Sequence, residues 1–200
     1  MGSAAHAERG AVSADLSWGV ALINVRAPYA QGAPSQLGGS LTTLLGVRYA
    51  LTNSVEVGVA AFYQPPTTFT HGDAQVSSPG GTLPGTLSER TQQIGLLLRG
   101  RFVHGFTWRL IAGGDVGFAS RSFSNIDHYD VSDPATGPRS YGLNLADTSQ
   151  KAFLLAPSAG VEWAGDHFTI GLAPRVEFLL GSERTWALSL PLSISWSWYL

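Results

Sequence analysis

Trp186 to Leu200 reads WALSLPLSISWSWYL, and large apolar side chains alternate with small or polar ones along its whole length. Trp186, Leu188, Leu190, Leu192, Ile194, Trp196, Trp198 and Leu200 share one face, while Ala187, Ser189, Pro191, Ser193, Ser195, Ser197 and Tyr199 share the other. A period of two is that of a β-strand. At about 3.3 Å per residue and a tilt of roughly 45°, the run is long enough to cross the hydrocarbon core of a bilayer. Tryptophans and aliphatics on one face against serines on the other predict a strand whose large residues meet lipid.

The same alternation occurs seven more times, with apolar faces running over Val12 to Leu22, Leu41 to Leu51, Val55 to Tyr63, Ile94 to Phe102, Phe106 to Phe118, Phe153 to Trp163 and Phe168 to Leu180. Eight strands are the even number that an up-and-down barrel requires. Thr52-Asn53-Ser54, Val103-His104-Gly105 and Ala164-Gly165-Asp166 read as tight turns. The segments 25–39, 64–89 and 120–150, rich in Pro, Gly, Ser and Thr, read as long loops, and 181–185 as a short link on the same side. Short turns alternating with long loops are the asymmetry of a transmembrane barrel, with turns and both termini periplasmic and loops extracellular. The predicted fold is therefore all-β, an eight-stranded antiparallel up-and-down transmembrane β-barrel.

Composition agrees. Of 200 residues, 44% are hydrophobic, yet no apolar run approaches the roughly 20 residues of a membrane-spanning helix. Alternation conceals the hydrophobicity of such barrels, as a mean hydropathy of +0.09 requires. A net charge of -2 argues against nucleic acid as a partner. There is no cysteine, hence no disulfide framework or thiol metal site, and no metal or cofactor is expected. Residues 1–10 read as an expression scar and N-terminal tail, Ala5-His6-Ala7 resembling the end of a signal-peptide cleavage site, and residues 11–200 as one barrel domain.

Charge decides which face is out. The large-apolar faces carry no Asp, Glu, Lys, Arg or His, whereas the opposite faces carry Asp15, Arg48, Glu56, Arg99, Arg101, Arg109, Asp115, Glu162, Arg175 and Glu177. A soluble barrel would have the reverse arrangement and a charged exterior, but Lys151 is the only lysine and charged residues make up 13% of the chain, about half the usual share. Nor would bulky residues from eight strands fit inside so narrow a barrel. The aromatic residues gather at both ends of the strands, as interfacial girdles do.

The ten inward charges predict a salt-bridged lumen, since buried charges must be paired. Counting outward from the turns sets Arg48 opposite Glu56, and Arg99 opposite Arg109 with Arg101 beside them, so that Glu56 and Glu162 must neutralise the arginines. A narrow pore through the same residues is the alternative. Nearer the loops, Ile23, Leu44, Phe62, Leu154 and Leu179 point inward and either line a shallow apolar cup for a hydrophobic ligand or close the barrel top. Ser122, Asn125, Asp127, His128, Asp130, Ser132 and Asp133 form the densest group of catalytic residue types, with His71 and Asp73 a thinner one; turn formation accounts for both, and no catalytic residue is assigned.

From Ala11 to Leu200 the chain resembles the small eight-stranded bacterial outer-membrane proteins, the class of the outer-membrane protein A barrel and of the OmpX and OmpW types. The resemblance rests on the architecture and on the C-terminal strand, where Trp196, Trp198, Tyr199 and Leu200 are similar to the aromatic-ended signal read by the barrel-assembly machinery, although the chain ends on Leu200 and not on Phe. It implies an outer-membrane location, outer-membrane lipids and the assembly machinery as partners, and a monomer. Three roles follow as expectations: a plugged structural or surface-recognition protein whose loops meet an external ligand, a narrow channel or hydrophobic-solute transporter, and a lipid-modifying enzyme.

Overall fold

The computed structural model describes residues 9–26, 35–78, 81–124, 128–133, 137–142, 147–181 and 184–199. Eleven β elements follow one another: β1 Ala11–Val25, β2 Gln36–Ala50, β3 Val55–Ser78, β4 Gly81–Gly105, β5 Trp108–Ser124, β6 His128–Asp133, β7 Gly137–Gly142, β8 Thr148–Ala164, β9 Phe168–Leu172, β10 Arg175–Leu180 and β11 Thr185–Tyr199. Every pairing is antiparallel, and the wall runs β1, β2, β3, β4, β5, β8, β9 with β10, and β11. The ring closes where β11 pairs with β1 from Ala11 opposite Tyr199 to Ile23 opposite Ala187. Closure removes the free edges that lipid cannot satisfy.

β9 and β10 together make one stave. They share a single register against β8 and against β11, and are parted only at Ala173 and Pro174. Pro174 has no N–H to give to the ladder, although its carbonyl still accepts from the Ala159 amide at 3.3 Å. The eight predicted staves are therefore present, the seventh interrupted by its proline.

The segment read as a loop over 25–39 is strand at both ends, Gln36 to Gly39 pairing with Val25 to Leu22, and three further expectations need correction. The segment 64–89 is not a loop: β3 and β4 continue beyond the barrel as a paired hairpin, with register shifts between Gln64 and Thr67 and between His71 and Ala74. Pro65 and Pro66 sit in the first shift, where the ladder is already broken, so the threonines and Phe69 that follow can resume pairing. The segment 120–150 contains the end of β5, the hairpin of β6 and β7, and the start of β8; β6 pairs with β4 at residues 85–87, making β3, β4, β6 and β7 one sheet outside the bilayer. Third, the turn read at Val103-His104-Gly105 lies further on, because β4 runs to Gly105 and the chain reverses over Phe106 and Thr107. Gly105 has φ +120°, a conformation that favours glycine, and pairs with Arg109.

The two faces are sorted as predicted. Leu16, Trp18, Leu45, Leu96, Leu98, Leu110, Phe118 and Trp196 are exposed, whereas the charged residues of the opposite faces are mostly buried. Trp108 and Phe118 stand at opposite girdles on β5. Ten residues at about 3.3 Å each, tilted by roughly 40°, rise about 25 Å, the height of the apolar band of a transmembrane barrel. Edge-on ring contacts reinforce the girdles, Phe118 with Phe153 at 5.8 Å and Trp163 with Phe168 at 5.3 Å.

Candidate functional site

All ten predicted lumen charges join in one alternating chain. Arg109 reaches Glu162 at 3.5 Å, and Glu162 accepts from Arg101 at 2.8 Å. Glu56 lies 2.6 Å from both Arg101 and Arg48. Asp15 binds Arg48 at 3.0 Å and Arg99 at 2.5 Å. Asp115 lies 2.8 Å from Arg99 and 3.2 Å from Arg175, and Arg175 ends the chain on Glu177 at 3.0 Å. Five arginines face five carboxylates, and every member but the two ends bridges two partners. Neutral groups add to the coordination: Arg48 donates to Ser195 Oγ at 2.7 Å, Arg109 to the Phe106 carbonyl at 3.0 Å, and the Arg175 guanidinium lies 5.3 Å from the Phe62 ring centre, its Nη2 without a hydrogen-bond partner among the described residues.

The partners differ in register from those expected. Arg48 stands opposite Gly58, and Glu56 opposite Ala50, so their contact is diagonal. Arg99 faces Asp115 and not Arg109, and Arg109 faces Glu162 on β8. The later turn, centred on Thr107, shifts the register and replaces an expected like-charge opposition by an ion pair, which removes a destabilising contact.

The chain of ion pairs crosses the lumen between two small voids. A void of about 70 Å³ is lined by Asp15, Arg48, Arg99, Arg101, Asp115 and Arg175 among others, and a second of about 20 Å³ lies toward the turns beside Ser13, Glu56 and Arg109. Arg48 and Arg101 belong to the walls of both, so their guanidiniums stand between the two. Voids of this size hold a few waters and fall well below the several hundred Å³ of a small-molecule site.

The predicted cup is filled. Leu44, Phe62 and Leu154 pack with Leu97, Ala119 and Ala156, while Ile23 packs with Val25, Phe69, Phe123 and Ala187; Leu179 is buried as well. Phe69 and Phe123, in or next to segments read as loops, occupy the space that a ligand would need. Between these apolar layers runs a polar row missed in the sequence, Gln64 opposite Gln93, Gln93 opposite Arg121 and Arg121 opposite Gln150. Arg121 donates to Gln93 Oε1 at 3.0 and 3.2 Å and to Thr185 Oγ1 at 3.1 Å. Alternation along β5 could have revealed Arg121, two residues beyond inward Ala119.

His71 pairs not with Asp73 but with Glu89, Nε2 to Oε1 at 2.9 Å, both side chains fully buried. The Asp73 side chain lies outside what the structure describes, as do Asn125, Asp127 and the side chains of His128, Ser132 and Asp133. Ser122 and Asp130 are exposed. At the C-terminus, Trp196 and Trp198 face outward, Tyr199 is exposed opposite Ala11, and Leu200 lies outside the described residues.

No protein-family model and no curated protein sequence matches the chain. Solved structures do. The attachment invasion locus protein Ail of Yersinia pestis superposes with a TM-score of 0.52 at 12% identity, covering 95% of this chain and 99% of Ail. Neisserial surface protein A superposes with a TM-score of 0.54 at 10% identity, covering 94% of this chain and 99% of that protein. At such identities the likeness concerns the fold: this chain has the fold of the small eight-stranded outer-membrane β-barrels, and in it an apolar exterior surrounds a buried ion-pair network.

Proposed function

From an outer-membrane barrel closed by its own side chains, we infer a membrane anchor that presents an extracellular sheet for surface recognition. The unbroken chain from Arg109 to Glu177 carries this reading, since solute passing through the lumen would have to part ion pairs that are largely out of water. What the barrel holds up is substantial: β3, β4, β6 and β7 form a four-stranded sheet beyond the bilayer, with a buried His71 and Glu89 pair locking β3 to β4. Loops and their elaborations are where a rigid scaffold carries binding function. The same fold serves an attachment protein in Yersinia pestis and a surface protein in Neisseria.

This reading assigns the chain no catalytic role, takes it as a monomer, and gives the strand ending in Trp196, Trp198, Tyr199 and Leu200 to recognition by the assembly machinery. The test is electrical. Purified protein inserted into a planar bilayer should be silent or nearly so; a large steady conductance would move it to the channel class.

A further inference from the structure

The barrel exterior is not uniformly convex. A groove of about 660 Å³ crosses β8, β5, β4, β3, β2 and β1 on the lipid-facing side, within the size range of binding sites for small apolar ligands. Phe153, Phe118, Leu96, Ala61 and Leu45 stand directly opposite one another in sequence along it, and Ala14 lies at its lower end. Its depth comes from side-chain size. Ala61 offers only a methyl group between Leu96, 74% exposed, and Leu45, 62% exposed.

The groove also has a direction. Phe153 lies eleven residues from the turn-side end of its strand, Leu96 nine, Ala61 six, Leu45 five and Ala14 three. At about 3.3 Å per residue and a tilt of roughly 40°, those eight steps descend about 20 Å, starting at the extracellular girdle. One leaflet of the hydrocarbon core is about 15 Å deep. The groove therefore starts at the outer-leaflet girdle and runs obliquely past the midplane, a length of about 20 Å that one extended acyl chain would follow.

A cation marks its upper end. Lys151, the only lysine of the chain, is exposed two residues above Phe153 on the same outward face, opposite Ser120, and joins no ion pair among the described residues. That is headgroup level, where an ammonium meets lipid phosphate. We propose that this groove seats one acyl chain of an anionic outer-leaflet lipid, with the lipid phosphate on the Lys151 ammonium. The proposal rests on the membrane reading and assigns a specific lipid site to it.

The experiment uses the full chain in nanodiscs of equal phosphatidylglycerol and phosphatidylcholine with identical acyl chains, followed by native mass spectrometry. Heat-modifiable migration establishes first that each variant has folded in the bilayer. The wild type should retain phosphatidylglycerol over phosphatidylcholine by about five-fold, the factor that one basic residue near an anionic surface contributes. Lys151→Gln should keep the bound lipid and lose the preference, and Ala61→Phe, which fills the groove, should lose both lipids. Equal ratios for wild type and Lys151→Gln, or undiminished lipid on Ala61→Phe, would overturn the proposal. A dimer that Ala61→Phe dissolves would assign the groove to a second copy instead. A wild type that fails to fold in the bilayer would refute the membrane reading itself, a result distinct from folded protein without retained lipid.

Discussion

Arg99 reaches Asp15 across the lumen, Nη1 lying 2.5 Å from Oδ2, although two staves separate β4 from β1 in the wall. Ladder hydrogen bonds connect only adjacent staves, so this ion pair braces the cross-section in a way the backbone cannot. Asp15 is also the link through which the lower half of the chain, ending on Arg48, meets the upper half that begins with Arg99.

Asp15→Asn should therefore be among the costlier isosteric changes in the protein. It removes the shared counter-charge of two arginines with little change of volume, and breaking a buried pair from one side costs about 3–5 kcal/mol. Urea unfolding in lipid vesicles would measure the loss. Combined with Arg99→Gln, the cost should be less than the sum of the two single changes, because both break one interaction. Strict additivity would mean that the contact contributes nothing.

Leu110→Arg probes the opposite face. Leu110 is exposed on the exterior, while its chain neighbour Arg109 is buried against Glu162. Leu110 lies two residues inside the Trp108 girdle, so a charge there on the lipid side should cost about 1–2 kcal/mol in vesicle refolding, less than at the midplane. A harmless Leu110→Arg in a protein that stays monodisperse in plain buffer would contradict the membrane assignment.

Removing residues 196–200 should abolish closure. Those residues pair with the first four of β1, Ala11 opposite Tyr199 through Ala14 opposite Trp196, and with Phe168 of β9. Without them, β1 exposes unpaired backbone to lipid, which a bilayer does not tolerate. The truncated chain should show no heat-modifiable migration on gels; normal migration would mean that the ring closes elsewhere.

The membership of the lumen network was legible because a two-residue period assigns every side chain to a face, and one face carried no charge at all. Its pairing was not. Register depends on where each hairpin turns, and a shift of the turn's centre from His104 to Thr107 exchanges Arg109 for Asp115 as the partner of Arg99. The upper lumen was less legible still. Pro65, Pro66 and the bulges that follow break the alternation, so Phe69, His71 and Glu89 read as parts of a loop although they point inward from paired strands. Leu97 was hidden for a different reason: within Leu96-Leu97-Leu98 the inward residue is as apolar as its lipid-facing neighbours.

The closed lumen makes a joint prediction about stability and conductance. Glu56 and Glu162 both hold Arg101, at 2.6 and 2.8 Å. Glu56→Gln leaves Arg101 with Glu162, and Glu162→Gln leaves it with Glu56, so each single change keeps one partner. The double change leaves Arg101 without a carboxylate among the ion pairs described and deprives Arg109 of its own. Each substitution should lower stability in urea titration, and coupling through Arg101 should make the double change depart from additivity. Arg101 also stands between the two voids, so releasing it should let them merge and admit ions. The double variant, if it folds, should show intermittent conductance where the wild type is silent. Equal silence in both, with stability lost, would mean that the apolar layer of Leu44, Phe62 and Leu154 alone seals the barrel.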